Sequence, residues 1–372
     1  MVTSNIPKSE IIQETSQAWN SQLVPAGCPS CHKVFLVNPA RKQLCPGCAI
    51  GQLISQPISL RPEPPERLIP FQIKLPELRN LFTEFTKGIW LAPDDFTPSS
   101  LVERSVPVFL PFWMVDSDVN GHWKAEVGFN YEVKSSQEYY YNGQWRNREI
   151  IETRIRWEPR LGRLMRHYDN VTVPALSNIE HLEDLIGGYK DQEAIPYSAN
   201  ELSTVAVQVP DLEPESVWPL AQSSLNAAAA MDCQKAASGQ HIRNFSLDAR
   251  YDRLNWSQLL VPLYVTHYHD DSGKPNLVYI HGQTGKISGP RLTSQRKGWM
   301  FAGSMAAIAI VLVILGLLAS AAGAALPPLL PLGMIGIIFG LILIILAIIT
   351  AAWPWQWNRR QLMVKITHSG QE

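Results

Sequence analysis

The period of the apolar positions changes several times along the chain, and each change marks an element. Residues 75–89 place Leu78, Leu81, Phe82 and Phe85 on one helical face, which predicts an amphipathic helix packed on a sheet. Residues 106–116 and 122–133 are rich in Val, Phe, Trp and Tyr, and Asn120-Gly121 between them predicts a two-residue hairpin turn. A second Asn-Gly, at Asn142-Gly143, follows Tyr139, Tyr140 and Tyr141 and leads into residues 151–157. There Ile151, Thr153, Ile155 and Trp157 alternate with Glu152, Arg154, Arg156 and Glu158, the pattern of an antiparallel strand with one packed and one charged face. Helical spacing returns at 178–186, with Ile179, Leu182 and Leu185, and over about 214–237, where alanine is frequent. Strands are predicted again at 241–251, 259–269, 277–281 and 286–288.

Between Gly298 and Asn358 the pattern ceases to be amphipathic. These 61 residues contain no Asp, Glu, Lys, Arg or His and are interrupted by Pro327, Pro328 and Pro331. A spanning helix needs about 20 apolar residues, so the run predicts two membrane helices, at about 300–322 and 331–353, joined by a short turn. Arg291, Arg296 and Lys297 precede the first, Arg359, Arg360 and Lys365 follow the second, and the turn has no basic residue. Both flanks are therefore expected in the cytoplasm, with Trp299, Trp353, Trp355 and Trp357 at the same interface. No ionisable side chain lies within the run, which favours an anchor over a transport path. Gly336, Gly340, Ala302 and Ala306 offer small surfaces for close helix packing.

The remainder has ordinary globular composition. Charged residues make up 17% of the chain and the net charge is −1, so no global bias toward nucleic acid or an acidic ligand exists. The first 25 residues lack the apolar core of a secretory signal and read as a solvated tail, with Ile11, Ile12 and Trp19 available for docking. The expected organisation is a tail at 1–24, a metal module at 25–60, a Pro-rich linker at 61–67, a β-rich domain at 68–290, a membrane hairpin at 299–354 and a cytoplasmic tail at 355–372. The fold class is α+β, dominated by antiparallel meanders.

Four of the five cysteines form two C-x-x-C pairs, Cys28-Pro29-Ser30-Cys31 and Cys45-Pro46-Gly47-Cys48, separated by thirteen residues. Each pair lets two thiolates face one point, and a short hairpin between them closes a tetrahedral S₄ site, the signature of a zinc ribbon. One structural Zn per chain is expected on Cys28, Cys31, Cys45 and Cys48, with iron the main rival for four thiolates. Four cysteines leave no open position for water or substrate. Binding worth on the order of 10–16 kcal/mol would make the module metal-dependent, so chelation is expected to unfold residues 25–52 and spare the rest. His32 is adjacent but not required. Cys233, on the alanine-rich helix, is expected to be a buried thiol.

Several separated stretches carry a resemblance. They are the ribbon, Leu68-Ile69-Pro70-Phe71, Val108-Phe109-Leu110-Pro111-Phe112-Trp113, Val171-Thr172-Val173-Pro174-Ala175, and Leu260-Val261-Pro262-Leu263-Tyr264 leading to Tyr279-Ile280-His281-Gly282-Gln283-Thr284-Gly285-Lys286. Over residues 25–320 the chain resembles bacterial membrane proteins with a zinc ribbon of the transcription-factor-IIB type, a family of unassigned biochemical function. Where that family commonly has Asn before Gly-Gln-Thr-Gly, this chain has His281. Some relatives look like membrane partners of phage-shock or flotillin-like envelope-stress systems, so the resemblance implies a recruiting role and carries over no catalytic residue.

Two further constellations invite chemistry. Gly282-Gln283-Thr284-Gly285-Lys286 fails the P-loop spacing and lacks the Ser or Thr after the lysine, so it predicts a tight turn with glycines at positive φ. His267 and His269 share a strand face beside Asp270 and Asp271, and His281 on the partnering strand is a candidate third ligand for a hydrolytic metal. A polar strand end running into an Asp-Asp-Ser-Gly turn is the plainer account. Lys33, Arg41 and Lys42 make thin support for nucleic acid. Arg154, Arg156, Arg160, Arg163 and Arg166 are interspersed with acids and suit a solvated face or anionic lipid headgroups. The resulting expectation is a non-enzymatic, membrane-anchored scaffold that contacts lipid, recruits protein partners and is compatible with homo-oligomers. The alternative is a membrane-tethered nucleic-acid or regulator-binding protein.

Overall fold

The computed structural model describes residue 19 and residues 23–40, 44–55, 64–202, 204–323 and 326–369, with side chains in the last helix as far as Gln361. The fold is a mixture of α and β with a large sheet and two C-terminal apolar helices. The chain divides into two compact units. Unit 1 comprises Met1–Pro111, Asn178–Val209 and Leu260–Glu372, and unit 2 comprises Phe112–Ser177 and Pro210–Leu259. The span 68–290 is thus distributed over both. Most of the tail at 1–24 and the linker residues 61–63 lie outside the described residues, but Trp19 and Leu23 are buried.

In unit 1 three short strands, β1 (Val24–Gly27), β2 (Val34–Val37) and β3 (Ile54–Ser55), form an antiparallel group with β1 central. This group does not stand alone. β2 pairs with β8 (Ala206–Gln208), which runs parallel to the start of β5 (Val106–Tyr141) through Val108↔Ala206. Leu36, Trp19 and Leu23 share one core with Leu68, Phe109, Val207 and Leu260. Burial of these apolar faces at about 25 cal/mol per Å² ties the cysteine-bearing segment to the sheet. Arg67, expected to end the linker, and Leu68 form strand β4, which pairs with β7 (Ile195–Pro196).

A second core in unit 1 collects around the predicted amphipathic helix, α1 (Leu75–Thr86). Leu78 and Phe82 point inward, with Phe96 and with Leu101 of α2 (Pro98–Glu103), onto Tyr264, Tyr268, Val278 and Ile280. The last two tyrosines belong to β9 (His241–His269), which pairs with β10 (Pro275–His281); β11 (Ile287–Ser288) completes this edge. Helix α3 (Ile179–Ile186) buries Ile179, Leu182 and Ile186 at the spacing expected of one helical stripe.

Unit 2 is built on the hairpin of β5 and β6 (Gln144–Pro174). The sequence expectation of a turn at Asn120-Gly121 is wrong: β5 runs straight through, pairing Asn120 with Met165 and Gly121 with Leu164. Gly121 is there for clearance, since a Cβ would lie 2.6 Å from the carbonyl oxygen of Asp248. The turn is made at Asn142-Gly143, with φ of 49° and 78°, the positive values a two-residue turn demands. Helix α4 (Pro214–Ala237) covers one face of this sheet with Val217, Ala221, Leu225, Ala229, Cys233 and Ala237, an i+4 stripe whose alanines allow close approach. Cys233 is buried there. The second expectation that fails is the packed face of 151–157: Ile151 is 58% and Ile155 40% exposed, and cover reaches this side at Trp157, where the Arg243 guanidinium lies 4.0 Å over the ring.

The apolar run forms α5 (Gln295–Ala322) and α6 (Leu329–Ser369), both long enough to cross a membrane. At 28 residues α5 is about 42 Å long, against a hydrocarbon core of about 30 Å. The two pack along small residues. A Cβ on Gly316 would lie 2.8 Å from the oxygen of Gly333, and one on Gly340 3.0 Å from the oxygen of Ala309. The second helix does not stop at residue 353 as expected. It passes through Pro354, whose ring occupies the space left by Gly298, where a Cβ would meet Cγ at 2.8 Å, and takes in Arg359 and Arg360.

Candidate metal centre

Each C-x-x-C pair is presented by the same local device. In the first, Cys28 N–H donates to Lys33 O (3.0 Å) and His32 N–H to Cys28 O (2.9 Å). In the second, Cys45 N–H donates to Gly51 O and Ala49 N–H to Cys45 O, both at 2.8 Å. The residue after each pair, His32 or Ala49, is left-handed, with φ of 58° and 56°. Two turns that share this bond and this left-handed residue, the second closing one residue later than the first, therefore aim four sulfurs at one another. Cys28 Sγ lies 3.6 Å from Cys48 Sγ and Cys31 Sγ 3.5 Å from Cys45 Sγ, and all four lie within 4.8 Å of one another without a disulfide.

That geometry fits a metal. Bonds of about 2.3 Å to a tetrahedral Zn²⁺ would set the sulfurs about 3.8 Å apart, close to the spacing observed. Cys28 and Cys45 are buried, while Cys31 and Cys48 retain some exposure. Burial raises the Cys28 thiol, but the N–H groups of Cys31 and Ser30 and the neighbouring Cys48 outweigh it and bring the group down to about 7. Burial pushes Cys31 and Cys45 up, so without a cation to neutralise them these two sulfurs hold their protons. Two glycines complete the cradle. A Cβ on Gly51 would meet Cys28 Sγ at 2.7 Å, and one on Gly47 would meet Lys33 Cδ at 2.9 Å. Gly51 carries no motif that could have flagged it from sequence.

The histidine constellation does not assemble. Register places Leu277, not His281, opposite His267, and His281 opposite Leu263. His269 is held by Asp95, which accepts from its backbone N–H and faces its Nδ1, both at 2.8 Å, while taking a two-pronged bond from Arg104 at 2.5 and 2.7 Å. Asp270 Oδ1 closes the following turn, accepting from Ser272 N–H and Oγ–H and from Lys274 N–H. Among the described residues the four cysteines are the group with metal-binding geometry.

The Gly282–Lys286 turn has its own account. His281 Nδ1 accepts from Gln283 N–H (3.2 Å) and Thr284 N–H (3.3 Å), and its Nε2 faces Gly188 O at 3.2 Å. Two donors on Nδ1 require Nε2 to carry the proton, so the ring is neutral. An Asn oxygen in place of the ring could accept from the same turn amides. Of the two glycines, Gly285 takes positive φ, 75°, whereas Gly282 provides clearance from Pro262. Four of the five arginines singled out on β6 are engaged at the surface: Arg154 with Glu152, Arg156 and Arg160 with Glu158, and Arg166 with Asp232. Comparison with protein-family models, curated proteins and solved structures finds no match to the chain.

Proposed function

We propose that the chain is a membrane-anchored scaffold whose Cys₄ centre holds one structural zinc in a ribbon that recruits protein partners at the cytoplasmic face of the membrane. The observation that carries this reading is that the four-sulfur centre and both apolar helices belong to one compact unit. The helices are not joined to it by a slack tether. Thr293 is bonded to Asn358, Trp357 Nε1 donates to Arg291 O (2.7 Å), and Trp90 packs on Trp353 at 5.2 Å. Four thiolates saturate a tetrahedral ion, so the metal shapes a surface and offers no position for substrate. The basic residues at both helix bases support a cytoplasmic location for that surface.

Three measurements test the reading on the full chain. Metal analysis should give one zinc per chain. Reporter fusions after residues 24 and 372 should both report cytoplasm, and crosslinking in native membranes should capture protein that is lost when Cys28 is replaced by Ser. Capture of nucleic acid with steep salt dependence, and of no protein, would overturn the recruiting role.

A further inference from the structure

The outer strand of unit 2, β6, runs for 31 residues with β5 as its sheet partner among the described residues. The turn at Asn142-Gly143 decides which backbone groups it leaves open. In a two-residue hairpin the flanking pair, here Tyr141 and Gln144, exchanges both hydrogen bonds, and the pairs then alternate. Even-numbered residues of β6 accordingly bond β5, while odd-numbered ones from Trp145 to Trp157 turn N–H and C=O outward. Two observations agree with this phase. Asn130, an even residue of β5, turns its N–H away from β6 and donates to Gln240 Oε1 at 2.8 Å. Pro159, which has no N–H, sits at an odd position opposite Glu126 and costs the ladder nothing.

The same odd positions carry exposed apolar side chains: Trp145 is 71% exposed, Leu161 80% and Ile151 58%. Beyond Asn130 the two strands continue with no third strand among the described residues, to a tip about 36 Å further on. An isolated pair of strands is marginal in water, and an open edge of this length invites another strand.

We propose that this edge is a homodimer interface, in which β6 pairs antiparallel with β6 of a second copy about a two-fold axis through Thr153. In that register Ile151 faces Ile155 of the second copy, Glu152 faces Arg154 and Glu158 faces Arg148, and symmetry makes each contact twice. Arg154 already touches Glu152 of its own strand at 3.0 Å, so the axis is surrounded by two acids and two bases in alternation. Neighbouring registers are rejected by charge. Sliding two residues one way sets Arg154 against itself and Arg148 against Arg160. Sliding the other way sets Glu152 against itself and Arg148 against Arg156. The register centred on Arg156 sets Arg156 against itself and moves Pro159 from the end of the ladder to its interior, opposite Thr153. In the proposed register Pro159 meets Asn147 and ends the ladder.

The test is the mass of the full chain in detergent by light scattering or native mass spectrometry. The wild type should be a dimer at micromolar concentration. Thr153→Pro should be a monomer with unchanged circular dichroism, because the N–H it removes does not bond β5. Arg154→Glu should weaken association by at least about tenfold, from two like-charge pairs created at the axis, and Glu152→Arg with Arg154→Glu should restore it. A monomeric wild type, a Glu152→Arg/Arg154→Glu chain that stays monomeric, or wild-type mass in both single variants would overturn the proposal. Should Thr153→Pro fail to fold, the charge reversals decide alone.

Discussion

The side chain of Asn358 binds the backbone of Thr293 as a neighbouring strand would. Its Oδ1 accepts the N–H of Thr293 at 2.8 Å and its hydroxyl at 3.1 Å, and its Nδ2 donates to the Thr293 carbonyl at 2.9 Å. Thr293 is buried, so no water replaces these bonds. Asn358→Ala should cost about 1–3 kcal/mol locally, the desolvation cost of a buried group left unpaired. Hydrogen exchange in detergent should show the amide of residue 293 opening about ten- to a hundredfold faster, with the amides of β6 unchanged.

Loss of metal should be felt beyond the cysteines. Cys45→Ser should abolish stoichiometric metal. Because β2 hydrogen-bonds β8 and Leu36 shares a core with Phe109 and Leu260, exchange protection should also fall at residues 206–208, well outside 25–52. Gly51→Ala presses on Cys28 Sγ and should lower metal affinity without removing a ligand, measurable by competition with a chromophoric chelator. Unchanged protection at β8 after chelation would show a free-standing module.

Acidification should destabilise the fold within a defined window. Burial, then the charges of Arg104 and His269, bring His267 down to about 4, and burial also lowers His281. An unfolded histidine titrates near 6.5, so between about 6.5 and 4 the unfolded chain binds more protons and stability rises with pH. The contribution is fully present above about 6.5 and is lost as pH falls. The His267 contribution to the urea midpoint should be flat from about pH 8 to 7 and decline below about 6.5, amounting to on the order of 2 kcal/mol. His267→Gln should flatten that decline. At the turn, His281→Asn should retain stability that His281→Leu loses.

Helix packing in the apolar pair should depend on position and not on glycine content. Gly316→Val drives a side chain into Gly333 and Ile337, whereas Gly303 has nothing within 4 Å of its would-be Cβ. Gly316→Val should therefore lower the detergent melting temperature and Gly303→Val should not. Equal effects would mean that α5 and α6 do not meet along this line.

The sequence was most legible where one local rule decides the outcome. The cysteine spacing, the charge-free run and the 3.6-residue stripe of Leu78 and Phe82 each marked its element without reference to the rest of the chain. Failures came where a distant segment decides. Asn120-Gly121 has ideal turn chemistry, yet Asp248, over a hundred residues away, makes Gly121 a clearance position within a strand. Pro354 looks like a helix stop, but Gly298 makes room for it. The alternation at 151–157 correctly indicated a strand and could not report that its apolar side stays exposed at Ile151 and Ile155. Gly51 and the Asp95–Arg104–His269 cluster carried no periodic or motif signal.

The chain leaves unit 1 after Pro111, returns at Asn178, leaves again after Val209 and returns at Leu260. During synthesis the cysteine segment therefore emerges long before Leu260, which completes its core, and the apolar helices that belong to the same unit come last. Unit 1 cannot close until nearly the whole chain has been translated, and its many contacts between sequence-distant residues favour slow folding. Early capture of the metal would give the nascent N-terminal segment a fixed shape through that wait, so that β2 is already formed when its sheet partners arrive.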